Sequence, residues 1–229
     1  MSALAENFAA VRAQIAAACQ RVGRAPGEVE LLAVSKRHPA AAVTAAIAAG
    51  QRCFGENRVQ ELTAKAAELG AVEGLGWHLI GSLQTNKVRD LLRVPGLALV
   101  HSCDRAKLAD ALHRESASSG RTLDVLLQVN ATGEEQKHGC GVAEAPALLE
   151  HVQERCGALQ VRGLMAMGPL AGAARPVFDQ VRALRDELCA RSGLSLETLS
   201  LGMSGDLEDA IAAGSTMVRV GTALFGARD

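Results

Sequence analysis

Polar and apolar positions alternate along the chain with two different periods. Short apolar, β-branched or otherwise strand-like runs, typical of buried strands, are separated by segments in which apolar residues recur at helical spacing. The strand-like runs are Leu31–Ser35, Cys53–Glu56, Trp77–Gly81, Leu97–Ser102, Asp124–Asn130, Val161–Met167, Leu199–Met203 and Met217–Phe225. The helical spacing is clear at Val59, Leu62, Ala66 and Leu69. The pattern predicts eight strands that alternate with helices.

This alternation favours an α/β fold, a (β/α)8 TIM barrel formed by one domain over residues 1–229. The amphipathic segment that precedes the first strand is predicted to be an extra N-terminal helix on the outside of the barrel. An open doubly wound sheet is the alternative. It is disfavoured because no GxGxxG motif follows the first strand and because eight strands are many for such a sheet.

Composition limits the classes of partner. The 24 basic and 25 acidic residues nearly balance, without long runs of either sign, so a nucleic-acid footprint is not supported. The six cysteines form no CxxC pair, which favours reduced thiols in a cytoplasmic protein over a disulfide framework or a metal site. No apolar run is long enough to predict a membrane span. We therefore expect a small-molecule ligand.

A barrel places its chemistry just after the strands, at the C-terminal mouth. Lys36 directly follows the first predicted strand. A lysine sheltered there is expected to have a lowered pKa, which favours the neutral amine that attacks an aldehyde. A solvated lysine in a loop explains this stretch equally well.

The end of the chain favours the first interpretation. Ser204 and Gly205 follow the seventh predicted strand, and Gly221 and Thr222 lie near the end of the eighth. Small residues at these two strand ends leave main-chain N–H groups free to bind a phosphate, as is common in TIM barrels. A tight turn is a sufficient explanation for either segment alone. It explains less well why both segments lie at the strand ends where phosphate is expected to bind.

A lysine and a phosphate cup on one mouth predict a phosphorylated aldehyde held at both ends, and pyridoxal 5'-phosphate (PLP) fits. Arg219 precedes Gly221 by two residues on the same strand face, where its guanidinium can meet the pyridine nitrogen. Because arginine does not readily give up its proton, the pyridine nitrogen would stay unprotonated and carbanion chemistry would be discouraged.

These motifs resemble a known family. The words AVSKRHP, FGENRVQE, WHLIGSLQTNK, GLMAMG, LGMSGDLEDAI and GSTMVRVGTALFG, in this order, are similar to those of the YggS-like (PROSC) pyridoxal phosphate homeostasis proteins. The match runs from about Leu31 to Gly226. The resemblance implies a barrel of the alanine-racemase N-terminal type, acting in vitamin B6 homeostasis by buffering or delivering PLP.

The same resemblance implies roles for individual residues. Lys36 would be the Schiff-base lysine and Arg219 the partner of the pyridine nitrogen. Asn57 and Met203 would line the ring. The phosphate would be held by Ser204, Gly205, Gly221 and Thr222. The sequence departs from the family pattern at the rim of the site, where Arg37, His38, Arg58, Ser82 and Thr85 replace the more usual residues.

Catalysis is not expected. An alanine racemase of this type needs a tyrosine from its partner subunit and a second domain, whereas this sequence has no tyrosine and only Ala227–Asp229 after the last strand motif. His78 and His101 are interpreted as hydrogen-bonded structural histidines, and Cys103 as a buried inert thiol. We also expect a monomer, because the second domain that builds the racemase dimer is missing.

Three hypotheses remain open at this stage. The first is a non-catalytic carrier of PLP, with apo forms of PLP-dependent enzymes as candidate protein partners. The second is a weak PLP-dependent racemase or lyase, and the third an aldolase that uses Lys36 directly on a sugar phosphate. Lys137, in the charged loop after the fifth strand, is placed near enough to relay a cofactor, although an ordinary exposed loop lysine is favoured.

Overall fold

The computed structural model describes residues 2–226, so Met1 and the terminal Ala227–Asp229 lie outside the described part. The strands are β1 (Glu30–Val34), β2 (Cys53–Glu56), β3 (Gly76–Leu79), β4 (Leu97–Cys103), β5 (Leu123–Asn130), β6 (Cys140–Gly141), β7 (Leu159–Ala166), β8 (Thr198–Ser200) and β9 (Met217–Val220). The helices are α1 (Ala3–Arg21), α2 (Ala40–Ala48), α3 (Val59–Leu69), α4 (Val88–Leu92), α5 (Ala106–Ser118), α6 (Ala145–Arg155), α7 (Arg175–Ser192), α8 (Leu207–Ala212) and α9 (Thr222–Phe225).

Eight parallel strands close into a barrel, so the predicted fold class is confirmed. Going round the barrel the order is β1, β2, β3, β4, β5, β7, β8 and β9, and β9 pairs with β1 to complete the circle. The pairing of Leu32 with Arg219 fixes the register at this closing seam. All strands run in one direction, so their carboxyl ends form one mouth.

Two apolar layers hold the barrel and its helices together. Inside the barrel, side chains from alternate positions of the strands pack against each other: Leu32, Cys53, Leu99, Leu126, Met165 and Met217. A larger layer fills the space between the strands and the surrounding helices, where Phe8, Leu62 and Val181 are buried. The strands are therefore buried on both faces, which explains their nearly continuous apolar sequences.

The extra N-terminal helix is present and covers the closing seam. Ser2 caps α1 by accepting a hydrogen bond from Ala5 N at 3.3 Å. The helix buries Phe8, Val11 and Ile15 at helical spacing. Asn7 Nδ2 donates to the carbonyl of Leu224 in α9 at 3.0 Å, so the first and last helices are directly joined.

Three details differ from the predicted elements. A two-residue strand, β6, pairs with β5 outside the closed barrel. The strand predicted over Met217–Phe225 ends at Val220, because the chain turns at Gly221 into α9, where Phe225 packs against the rings of Phe8 and His38. The strand predicted over Leu199–Met203 is the short β8, and the last residues of the predicted strand form a turn instead.

Within residues 2–226 we find no helix with the length and apolar character of a membrane span.

Candidate functional site

The predicted site residues follow four strands that surround one side of the mouth. Lys36 follows β1, and Asn57 follows β2. The segment Met203–Gly205 lies beyond β8, Arg219 lies within β9, and Gly221 and Thr222 come directly after β9. Because β8, β9, β1 and β2 are neighbours in the barrel, the fold brings these segments together.

Lys36 lies in a tight turn at the carboxyl end of β1. The turn is closed by His38 N, which donates to the carbonyl of Ser35 at 3.1 Å. Lys36 is half-buried, and its position continues the inward-facing alternation of Leu32 along the strand. Arg37, the next residue, has a φ of 65°, a value that L-amino acids rarely adopt. The turn is thus held in a conformation that its own sequence does not favour.

A buried charged group lies behind this turn, between the barrel and α3. We call it the Lys65 cluster, and it consists of Ser35, Glu56, Glu61 and Lys65. Lys65 Nζ donates to Glu56 Oε1 at 2.6 Å, to Glu61 Oε1 at 2.9 Å and to the Ser35 carbonyl at 2.7 Å. Ser35 Oγ also donates to Glu56 Oε1, at 2.6 Å. Desolvation by burial raises the pKa of the Glu56 carboxyl, although Lys65 and Ser35 oppose that shift.

Arg219 is buried at the other end of the site, with 5% of its surface exposed. Its Nη1 donates to the carbonyl and the hydroxyl of Ser200 at 2.5 and 2.8 Å, and its Nη2 donates to the Ala166 carbonyl at 2.9 Å. None of these acceptors is charged, and within residues 2–226 Arg219 forms no ion pair with a carboxylate. Burial lowers the pKa of Arg219 to about 10, so the guanidinium remains a cation at neutral pH.

A chain of side chains continues from Arg219 through the interior of the barrel. Ser200 Oγ lies 3.1 Å from His101 Nδ1, His101 Nε2 lies 2.9 Å from His78 Nδ1, and His78 Nε2 lies 3.2 Å from Cys53 Sγ. Burial lowers the pKa of His78 to about 4 and that of His101 well below its usual value. Both imidazoles are therefore neutral near pH 7, as expected for structural histidines.

The predicted phosphate cup consists of the turn Met203–Asp206 and the start of α9. Ser204, Gly205 and Thr222 are exposed, and so is 42% of Met203. Asp206 occupies the N-cap position of α8, but its side chain makes no capping bond. Instead its Oδ1 accepts a hydrogen bond from Met203 N at 2.5 Å, which closes the turn. The main-chain N–H of Met203 is consequently already used.

Gly221 joins the cup to the Lys36 turn. A Cβ at this position would lie 3.2 Å from the carbonyl oxygen of Val34 and 3.4 Å from its Cβ. A side chain at residue 221 would require the ends of β9 and β1 to shift by a few tenths of an ångström. The predicted amine and the predicted anion site therefore lie on adjacent strand ends.

Asn57 is half-buried at the end of β2 and is held by a second close approach. A Cβ at Gly81, after β3, would lie 2.1 Å from the carbonyl oxygen of Asn57, closer than any real contact. Glycine is thus required at 81, and the loop after β3 fixes the position of the Asn57 main chain. Asn57 also lines a cavity of about 430 Å³ at this part of the mouth, together with Arg58, Lys87 and Arg105.

Lys137 differs from the exposed loop lysine that was favoured from the sequence. Only 8% of its side chain is exposed, and it pairs with Glu134. Its Nζ donates to the Gly168 carbonyl at 2.6 Å, and Gly168 itself is packed against the Asp206 carboxylate. The loop after β5 therefore folds back towards the rim of the cup. By contrast, Cys103 is buried as expected, and burial raises its thiol pKa to about 12.

These groups fit PLP by the chemistry of the donors. A buried arginine whose bonds all go to neutral acceptors can accommodate an uncharged pyridine nitrogen without losing an ion pair. The exposed turn at Gly205, where a Cβ would meet no atom within 4 Å, leaves room for an anion beside the main chain. Lys36 would supply the amine. PLP, when bound, would supply the reactive aldehyde.

Comparison with known proteins decides the family. Residues 6–229 match the family described as "Alanine racemase, N-terminal domain". A pyridoxal phosphate homeostasis protein of Pseudomonas aeruginosa is 49% identical over 100% of this chain and 97% of its own length. That of Escherichia coli K12 is 47% identical over 100% of this chain and 98% of its own. The chain belongs to the pyridoxal phosphate homeostasis protein family. The resemblance predicted from the motifs is confirmed, and both relatives are named for homeostasis of a cofactor and not for a reaction.

A solved structure of the same family contains the cofactor. PipY of Synechococcus elongatus with PLP bound is 41% identical to this chain, covers 97% of it and 100% of its own chain, and superposes with a TM-score of 0.84. The same protein without PLP gives a TM-score of 0.87. PLP is thus the cofactor bound by a member of this family with the same barrel.

Sequence reasoning missed the residues that hold the site residues in place. The sequence did carry one signal for Lys65, since it lies three residues after Leu62 on the apolar stripe of α3, where a charge is unusual unless it is paired. Ser200 carries no such signal, because its partner Arg219 is brought to it only by the β8–β9 pairing.

Proposed function

We propose that this protein binds PLP reversibly and takes part in PLP homeostasis as a buffer or a delivery protein. Lys36 would form the Schiff base, Arg219 would bind the pyridine nitrogen, and Asn57 and Met203 would line the ring. Ser204, Gly205, Gly221 and Thr222 would hold the phosphate. The observation that supports this proposal most directly is the close approach of the Gly221 and Val34 strand ends, because it brings Lys36 near the residues proposed to bind the phosphate.

The PLP-bound relative supports the ligand, and the donor set supports its orientation. Arg219 is the group that favours carriage over turnover. A cationic guanidinium would donate a hydrogen bond to the pyridine nitrogen without giving up its proton, so the nitrogen would stay unprotonated and the ring would be a weak electron sink. The chain also offers no tyrosine as a second proton-transfer group. We therefore propose that the protein does not turn over amino acids, and that it acts in the cytoplasm as a single barrel domain and a monomer.

The decisive experiment is trapping of the Schiff base. The wild-type protein incubated with PLP should gain visible absorbance that borohydride bleaches, and peptide mass mapping should place the reduced adduct on Lys36. The Lys36→Ala variant should lack both signals, whereas Lys107→Ala, which removes an exposed lysine on α5, should keep them. An adduct on another lysine, or none, would refute the assignment.

Amino-acid turnover separates carriage from catalysis. Holo-protein incubated in deuterium oxide with alanine, serine or threonine is expected to show almost no exchange at Cα. Exchange at rates on the order of 1 per second or faster would instead establish an enzyme. A Schiff base that forms with a sugar phosphate, but not with PLP, would favour the aldolase alternative.

A further inference from the structure

The main chain on both sides of Lys36 is held by the Lys65 cluster. On the N-terminal side, the Ser35 carbonyl accepts from Lys65 Nζ at 2.7 Å, and Ser35 Oγ donates to Glu56 Oε1 at 2.6 Å. On the C-terminal side, the main-chain N–H of Arg37 donates to Glu61 Oε1. The same Glu61 oxygen accepts from Lys65 Nζ at 2.9 Å. One ammonium group therefore links the two residues that flank Lys36.

This arrangement offsets a conformational cost. Arg37 has a positive φ, a conformation that costs a non-glycine residue free energy and persists only where its surroundings enforce it. The carboxylate of Glu61 stabilises that conformation by accepting the Arg37 N–H. Without Glu61, the turn would be free to relax towards conformations in which the Lys36 side chain leaves the mouth.

The cluster lies on the outer face of the strands, away from the barrel interior. Glu56 and Ser35 occupy positions that alternate with the inward-facing Cys53 and Leu32, and Lys65 comes from α3 outside the barrel. Glu56 is fully buried, and only 7% of the Lys65 side chain is exposed. Lys65 and Glu56 thus act on Lys36 through the main chain and not by touching a ligand in the mouth.

Burying these charges costs free energy of desolvation, which their mutual attraction need not offset. Replacing a buried ion pair with apolar residues is often neutral or stabilising, so such a pair is weak evidence for a purely stabilising role. One oxygen of Glu56, Oε2, is buried without a hydrogen-bond partner in the described structure. The geometry is better explained by the conformation that the cluster imposes on residues 35–38.

We propose that Lys65 is a positioning residue for Lys36, acting with Glu56 and Glu61 to preorganise the turn from which the amine reaches the PLP aldehyde. This inference rests on the proposed function, because it concerns the rate at which Lys36 forms its Schiff base. Its role is distinct from that of the phosphate cup, which would determine how firmly the ligand is held without the covalent bond.

The test follows the growth of visible absorbance after apo-protein is mixed with PLP. Lys65→Met and Glu61→Ala should each slow Schiff-base formation about tenfold, the change expected for loss of one hydrogen bond to a charged group. Glu61→Gln keeps an oxygen that can accept the Arg37 N–H and should restore most of the rate. Two exposed residues provide matched controls, Lys107→Met on α5 and Glu68→Ala on α3, and both should behave as the wild type.

A second ligand distinguishes positioning from general damage to the site. Pyridoxine 5'-phosphate carries an alcohol in place of the aldehyde, so it can occupy the mouth without reacting with Lys36. Its dissociation constant should change less than about twofold in Lys65→Met and Glu61→Ala, a difference well under that of one hydrogen bond. Equal losses for the alcohol and the aldehyde would show general damage and overturn the proposal.

Two further arms keep the outcomes separable. Lys65→Met leaves Glu56 as an unpaired buried charge, which could prevent folding. In that case the double variant Glu56→Gln with Lys65→Met, which removes both charges, is used in place of the single variant. In apo-protein, hydrogen exchange at the Arg37 amide should accelerate in Glu61→Ala. Normal trapping of wild-type Lys36 with unchanged rates in the variants refutes the positioning role alone, whereas absence of trapping in the wild type refutes the proposed function.

Discussion

The two sides of the mouth are built differently. Lys36 and Arg219 are each backed by buried side chains, the Lys65 cluster behind one and Ser200, His101 and His78 behind the other. The predicted cup, formed by Met203–Asp206 and Gly221–Thr222, is largely exposed. The groups proposed to react with and orient the ligand are thus held by buried side chains, whereas the proposed anion site is open to water.

This difference agrees with reversible binding. A preorganised amine and guanidinium can engage a ligand without first being ordered, which removes one of the costs of association. An exposed main-chain cup can release a phosphate without opening the barrel. We therefore expect changes on the buried side to alter folding and imine chemistry, and changes on the exposed side to alter retention.

The largest effect should come from acidification, which tests whether the fold depends on buried histidines that stay neutral. Burial lowers the pKa of His101 well below its usual value. It lowers that of His78 from the ordinary value of about 6.5 to about 4. Between these values the unfolded chain binds protons that the folded chain does not. The free energy of unfolding should therefore fall as the pH drops from 6.5 towards 4, by about 3 kcal/mol for His78 alone.

Urea unfolding at a series of pH values measures this loss. The raised pKa of Glu56 acts on the free energy of unfolding in the opposite direction, because a carboxyl that holds its proton more tightly in the folded protein stabilises the fold in acid. The double variant His78→Gln with His101→Gln should have a flatter profile than wild type in the same range, while exposed His138→Gln should keep the wild-type slope. A wild-type profile without slope above pH 4.5 would show that the buried histidines do not carry the effect.

The second largest effect is expected from changes to the exposed cup. Ser204→Ala combined with Thr222→Ala should accelerate PLP loss roughly thirtyfold, equivalent to about 2 kcal/mol of hydrogen bonding to a charged phosphate. Imine formation should persist, and the melting temperature should stay near that of wild type because both side chains are exposed. Dissociation into excess apo-enzyme, followed by absorbance, gives the rate. A wild-type rate would remove both hydroxyls from the phosphate site.

The smallest effect is expected from Ser200→Ala. This change removes the hydroxyl that accepts from Arg219 Nη1 at 2.8 Å, but the Ser200 and Ala166 carbonyls still hold the guanidinium. We expect a loss of about 1 kcal/mol in unfolding free energy, measured in urea, and little change in PLP release. Exposed Ser195→Ala is the matched control. Rapid PLP release in Ser200→Ala with unchanged stability would reverse the contrast between the two sides.

The sequence predicted the fold and the ends of β1 and β2 well because both depend on local patterns. Lys36 and Asn57 follow β1 and β2 as expected, since a buried parallel strand is a continuous apolar run that stops at a polar residue. The eighth predicted strand was too long because Leu224 and Phe225 are apolar in either conformation. In the structure both lie in α9, and the ring of Phe225 packs against Phe8 and His38, which are remote in sequence.

The supporting contacts were beyond sequence reasoning for a different reason. Ser200, His101 and His78 come from three strands, and only barrel register sets them in one hydrogen-bonded chain. Lys137 was expected to be exposed, but its ammonium finds the Gly168 carbonyl on another loop. Such partners depend on distances between elements that no periodicity encodes.

The seam between β1 and β9 has a consequence for biosynthesis. Lys36 is synthesised well before β9, the strand that must pair beside β1, and before Gly221, whose main chain lies close to Val34. A nascent chain therefore presents a lysine without a pocket around it. The pocket at this mouth cannot form until β9 has been made and has paired with β1.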